Sequence, residues 1–206
     1  MTLENLLKTA LLPIGNTMYI YGGGWNEEDT GAGIEAMTIG VSPKWAEFAI
    51  KQDSSYNFKD YDYKQNKDYI HLGLDCSGYI GWLLYNIFQD KGYVDFSRKI
   101  ANNLATENKG KVKKAKYITE YKAGDIMSGE NVSHVWLSLG QCFDGSVVIL
   151  HSSPAGVHIS GTPTPKGAEN SQAIKLANKY MGKYYPVWNK KYPVKPFDYL
   201  GKYSQF

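Results

Sequence analysis

Four short apolar runs at hairpin spacing, arriving only from Gly124 onward, constrain the fold of this chain more than any other feature. Residues 124–127, 134–139, 146–151 and 156–160 each read as a strand, with Gly, Pro and Ser punctuating them. The part before them has helical spacing instead. Leu3, Leu6, Leu7, Ala10 and Leu11 recur on one helix face behind a Thr2 cap and ahead of Pro13. Ser42-Pro43 opens a helix carrying Trp45, Phe48 and Ala49, a third helix runs from Cys76 to about Gln89, and Ser97 caps one ending near Thr106. Helices first and antiparallel strands afterwards predict an α+β fold. Beyond Gly161 a helix is expected over residues 168–181 with Gly182 as its stop, then an aromatic tail with three prolines that straps the body.

Between the Gly22-Gly23-Gly24 run, where backbone must approach something closely, and Asp75 lies a long polar interlude. Its second half, residues 56–69, is rich in Tyr, Asp, Lys and Asn and reads as an exposed loop, a lid or a substrate wall. With 206 residues, 21% charged and 14% aromatic, the chain is expected to form one domain over residues 1–206, with an insertion at about 25–70 and an extension at about 161–206. Its two cysteines are too few for a disulfide scaffold. A net charge of +3 is mild, and the basic run Lys109, Lys111, Lys113, Lys114 and Lys116 lacks interleaved aromatics, so it reads as a solvated loop and not a nucleic-acid surface. No stretch approaches the roughly 20 apolar residues of an integral membrane segment. Glu4 and Lys8 speak against the first helix being a signal peptide.

The chemistry concentrates at Leu74-Asp75-Cys76-Ser77-Gly78, a thiol between turn formers and an apolar helix. A helix N-terminus favours an anionic sulfur, because its N–H groups are unpaired and the macrodipole is positive there. A small buried hydrophobe is the bland alternative, and this segment alone leaves both open. Two histidines decide between them. A symmetric hairpin between the second and third strands, centred between Cys142 and Phe143, puts His134 directly opposite His151, with both side chains on one face. A one-residue bulge would send one of them to the other face. Cys76, His134 and His151 then supply a nucleophile, a base and a third group that orients the base. A similar construction at the next turn lines up His158, and three histidines in a row would suit zinc; no Asp or Glu in these strands offers a second shell, so no metal or other cofactor is expected. Cys142, in the hairpin loop, is assigned no role.

The chain resembles the NlpC-type papain-like cysteine peptidases that cut bacterial cell-wall peptides. The resemblance lies in Tyr19-Ile20-Tyr21-Gly22-Gly23, Asp75-Cys76-Ser77-Gly78, Gly124-Asp125, Ser133-His134-Val135 through Gly140, and Ile149-Leu150-His151-Ser152-Ser153, in that order. It implies a papain-like fold with the nucleophile helix packed on a central antiparallel sheet. It implies further that Cys76 is the nucleophile, His134 the base, His151 the orienting residue and Tyr19 an oxyanion-hole donor, with Asp75, Ser77, Tyr21 and Ser133 binding substrate. The implied activity is hydrolysis of the γ-D-glutamyl to diamino acid bond of peptidoglycan stem peptides or muropeptides, by a monomer in the cell envelope or outside the cell, with cytoplasmic recycling as the alternative. An N-acetylmuramoyl-L-alanine amidase, an acyltransferase using the same thiol, and a non-catalytic wall-binding module are the competing readings. The gap from Gly24 to Leu74, the long turn between His134 and His151, and the tail after Gly161 depart from the family pattern.

Overall fold

Helices occupy the first part of the sequence and an antiparallel sheet the second, which makes the protein α+β. The computed structural model describes residues 2–26, 37–89, 111–129 and 134–205. The expected helix at 97–106 and Ser133 lie outside these residues. The chain divides into two units, Met1–Arg98 with Ser152–His158, and Lys99–His151 with Ile159–Phe206. Among the described residues no helix is long and apolar enough to cross a membrane.

In the first unit, helix α1 (Leu3–Leu11) starts where the Thr2 hydroxyl accepts the Asn5 N–H, and it buries Leu6 and Ala10. Helix α2 (Pro43–Ile50) has proline in its first turn, where the missing N–H costs nothing, and buries Trp45 and Ala49. Helix α3 (Cys76–Phe88) is apolar nearly all round and accordingly buried, from Cys76 through Leu84 with only Ser77 partly open. It packs against α1, and the Tyr79 hydroxyl donates to the Ala10 carbonyl at 2.7 Å. At its far end Gln89 takes a left-handed conformation, φ 52°, which closes the helix.

Residues 56–69 are the exposed segment their polarity suggests, with none of them buried, but their aromatic rings pack together. Two short 3-10 turns, Phe58–Tyr61 and Lys67–His71, hold the rings of Phe48, Tyr56, Tyr61 and Tyr69 in one cluster, with Phe48 and Tyr61 centroids 4.8 Å apart. Lys59, Asp60, Lys64 and Asp68 remain exposed. A tyrosine buries its ring while its hydroxyl stays hydrogen-bonded, so a Tyr-rich polar segment can pack. Here the Tyr56 hydroxyl donates to the Tyr19 carbonyl at 2.5 Å.

The second unit is built on strands β1 (Ile126–Ser128), β2 (Val135–Gln141) and β5 (Ser204–Gln205), together with the parts of β3 (Val147–Ser153) and β4 (Gly156–Gly161) that belong to it. The sheet order is β4-β3-β2-β1-β5. Met127, Trp136, Val147, Ile149 and Tyr203 form its buried apolar cluster. Helix α4 (Gln172–Tyr184) begins at Ser171, whose hydroxyl accepts the Ile174 N–H, later than the expected start at 168. It also runs through Gly182, which is therefore not its stop. The helix ends at Tyr185, where Pro186 disfavours helical backbone in the residue before it, and a short helix α5 (Pro186–Lys191) follows.

The β2–β3 register corrects the expected hairpin. Gln141 pairs with Val147 and Gly140 with Val148, so the turn lies further along the chain than a symmetric loop would put it. An Asx-type contact explains the shift: the Asp144 carboxylate accepts from both the N–H and the hydroxyl of Ser146 and stabilises a tight turn there. That offset alone would put the two histidines on opposite faces. A bulge between Ser138 and Gly140, where Gly140 takes φ +120°, then changes the pairing to Ser138 with Ile149 and Leu137 with Leu150. Continued, this register sets Trp136, not His134, across from His151, with His134 two residues further on and back on the same face. Two departures from symmetry cancel in parity.

Candidate active site

In the first unit, Cys76 is the first residue of α3, and the Asp75 before it is the N-cap. One Asp75 oxygen accepts the Gly78 N–H at 2.6 Å and the Ser77 hydroxyl at 3.1 Å, and the other accepts the Gly22 N–H at 2.8 Å. Burial pushes the Asp75 carboxyl up from its ordinary range, while these donors and the Ser77 N–H pull the other way. With both oxygens committed to these donors, Asp75 is fixed as the joint between the glycine run and the helix.

The glycines let the backbones close. A Cβ on Gly78 would stand 2.1 Å from the Gly23 carbonyl oxygen, and one on Gly23 would stand 2.3 Å from that of Gly73. Met18 bridges Gly73 in parallel beside them. This seating places Tyr19 near Cys76 and Asp75. Burial, then the charges of Cys76 and Asp75, hold its phenol far above the ordinary tyrosine range, so Tyr19 stays an O–H donor. Tyr21 is exposed and stacks on Tyr63 at 5.9 Å. Ser77 is half-buried.

In the second unit, His134 Nε2 and His151 Nδ1 stand 3.1 Å apart in a direct hydrogen bond, with ring centroids at 5.3 Å and planes at 77°. His151 is fully buried and His134 half-buried. One ring must donate and the other accept, so the bond holds one proton and opposes double protonation of the pair. The expected juxtaposition therefore exists, although a diagonal pair of strand positions makes it. Ser152, next in the chain after His151, belongs to the first unit and donates its hydroxyl to the Leu74 carbonyl at 2.6 Å. Phe197 and Tyr199, in the tail expected to strap the body, pack their rings on the two imidazoles. Their alternation at i and i+2 is the one sequence signal that hints at a shared face.

His158 lies elsewhere in function. It is buried in the first unit, where its Nδ1–H donates to the Gly156 carbonyl at 2.9 Å. Among the described residues no group of three or more His, Cys, Asp or Glu side chains is arranged to hold a metal ion. Burial lowers the His158 pKa below its ordinary 6.5, with the Gly156 hydrogen bond opposing. Below pH 6.5 the unfolded chain takes up a proton that the folded chain refuses, so stability present above that pH is lost as pH falls. Urea denaturation at stepped pH should show wild type losing up to about 1.4 kcal/mol per pH unit more than His158→Asn, which keeps a donor but not a titrating ring. Parallel curves would refute this.

Cys142 is half-buried, and burial first, then the Asp144 charge, pushes its thiol up while Ser146 opposes, so it is the less nucleophilic environment a bystander would have. No protein-family model, no curated protein and no solved structure matches the chain.

Proposed function

We propose that this protein is a cysteine endopeptidase of the NlpC type, with a papain-like arrangement of groups, that hydrolyses peptidoglycan stem peptides at the γ-D-glutamyl to diamino acid bond. The observation that carries the reading is the hydrogen bond between His134 Nε2 and His151 Nδ1. It is what a thiol peptidase needs of its base: one nitrogen held by a partner, which fixes the ring and leaves Nδ1 of His134 for the proton of the nucleophile. Cys76 at the first position of α3 and a permanently protonated Tyr19 beside it support the same reading.

In this mechanism His134 Nδ1 takes the Cys76 proton, and the sulfur attacks the amide carbon to give a tetrahedral oxyanion. The Cys76 N–H and the Tyr19 hydroxyl donate to that oxygen. His134 returns the proton to the leaving amine as the C–N bond breaks. Water, deprotonated by His134, then cleaves the thioester, and the acid product and free thiol are regenerated. His151 accepts from His134 Nε2–H throughout and stabilises the imidazolium.

The test is mass spectrometry of purified muropeptides incubated with the protein, with and without a chelator. A new fragment ending in D-Glu, formed equally in both, is the expected result. Release of the intact stem from the sugar would instead identify an amidase, and no cleavage of any muropeptide would defeat the proposal.

A further inference from the structure

We infer that Phe197 and Tyr199 are positioning residues for the His134–His151 pair, carried there by a C-terminal strap pinned at both ends. Their catalytic consequence rests on the peptidase reading above; their effect on the imidazoles does not.

At one end the Ser160 hydroxyl donates to the Lys195 carbonyl, Gly161 bridges Pro196, and the Phe197 N–H donates to the Gly161 carbonyl at 3.0 Å. At the other end Ser204 and Gln205 join β1 as β5, and Gln205 exchanges two 2.8 Å backbone hydrogen bonds with Lys113. The Gln205 side chain also donates to the Glu120 carbonyl and the Asp125 carboxylate. These anchor points sit at opposite edges of the sheet, β4 and beyond β1. The residues between them must cross its face, and strand alternation makes that the face of His134, Trp136, Ile149 and His151.

The rings meet in that order. Phe197 stands edge-to-face on His151 with centroids 4.5 Å apart and planes at 85°. Tyr199 reaches both imidazoles, His134 at 5.2 Å and His151 at 6.0 Å, and stacks on Trp136 at 5.7 Å. Tyr203 closes the row against Trp136 and Tyr199. A hydrogen bond between two imidazoles holds only while both ring planes keep their angle, and each ring turns about a single Cβ–Cγ bond with a broad, soft preference. Here neither can turn without displacing Tyr199 or Phe197. The Tyr199 ring packs on both imidazoles. The strap therefore holds the two ring planes at the angle their hydrogen bond needs, and with it the direction of the base.

The test is long-range proton–nitrogen NMR of ¹⁵N-histidine protein from about pH 5 to about pH 9, bracketing ordinary histidine titration, with muropeptide kinetics in parallel. In wild type, His134 and His151 should show complementary fixed tautomers. In Phe197→Leu and Tyr199→Leu the shifts should move toward tautomer averages, and kcat should fall about tenfold to about a hundredfold with KM nearly unchanged and the pH–rate profile displaced. Tyr199→Phe should restore both readouts. Phe197→Met and Tyr199→Met, whose flexible side chains fill irregular gaps, serve if a leucine variant does not fold. Wild-type shifts and titration in the folded Leu or Met variants would overturn the inference, as would Tyr199→Phe behaving like Tyr199→Leu. If wild type cleaves no muropeptide, the peptidase reading fails and the NMR result alone decides the strap.

Discussion

Cys76→Ala should abolish muropeptide cleavage, by at least about 10³-fold in kcat/KM, while Cys142→Ala retains it. The contrast follows from where each sulfur sits. Cys76 opens a buried helix beside a donor tyrosine, whereas Cys142 lies in the turn of β2 and β3, and burial and Asp144 keep it protonated. Loss of one sulfur atom from a buried site costs about 1 kcal/mol, far too little to unfold a domain, so the variant should keep its circular dichroism and nearly its urea midpoint. Activity loss with an intact fold is thus the diagnostic result. Substantial cleavage by Cys76→Ala would remove the thioester route altogether, and loss of cleavage in Cys142→Ala would reassign the nucleophile. Residual slow hydrolysis in Cys76→Ala would still fit, since donors aimed at the oxyanion act without the nucleophile.

Local signals are legible where one residue type has one physical role. Thr2 caps α1 as expected, because its short oxygen side chain reaches the N–H three residues on, and Asp75 makes the same contact at the start of α3. The close approach at Gly22-Gly23-Gly24 was legible for a similar reason, since only glycine removes the Cβ. Register was not. The turn before Ser146 and the bulge at Ser138 to Gly140 are set by a side-chain contact of Asp144 and by a glycine with positive φ, neither of which hydrophobic alternation encodes. The histidines still meet because two errors of odd parity sum to an even one, and imidazoles bridge a diagonal pair. The strap was legible only as a strap. Phe197 and Tyr199 follow Pro193 and Pro196 with only a single i, i+2 alternation to read, and their place over the imidazoles depends on β5 pairing with β1, a contact between distant parts of the chain.

The same substitution at two helical glycines should act with opposite sign. Gly→Ala in a helix interior is worth about 1 kcal/mol of stabilisation, from propensity and from the lower entropy of the unfolded chain. At Gly182, inside α4, the added methyl meets only Asn189 Nδ2 at 3.8 Å, an ordinary contact, so Gly182→Ala should raise the urea midpoint by an amount equivalent to roughly 0.5–1 kcal/mol. At Gly78, inside α3, the methyl would lie 2.1 Å from the Gly23 carbonyl oxygen, which is backbone and has no rotamer to yield. Relief requires α3 to withdraw from the glycine run, which breaks the Gly22 hydrogen bond to Asp75, because Asp75 caps α3 and moves with it. Overpacking costs about 1–3 kcal/mol where side chains can adjust, and the loss of a buried hydrogen bond to a carboxylate adds about as much again. The clash therefore outweighs propensity, and Gly78→Ala should lose about 3 kcal/mol or more, a large fraction of an ordinary domain's stability. Chemical denaturation of the pair, with tryptophan fluorescence as readout, decides it. Equal midpoint shifts for the two variants would show that α3 does not seat on Gly23, and with that the placement of Tyr19 beside Cys76 would lose its structural basis.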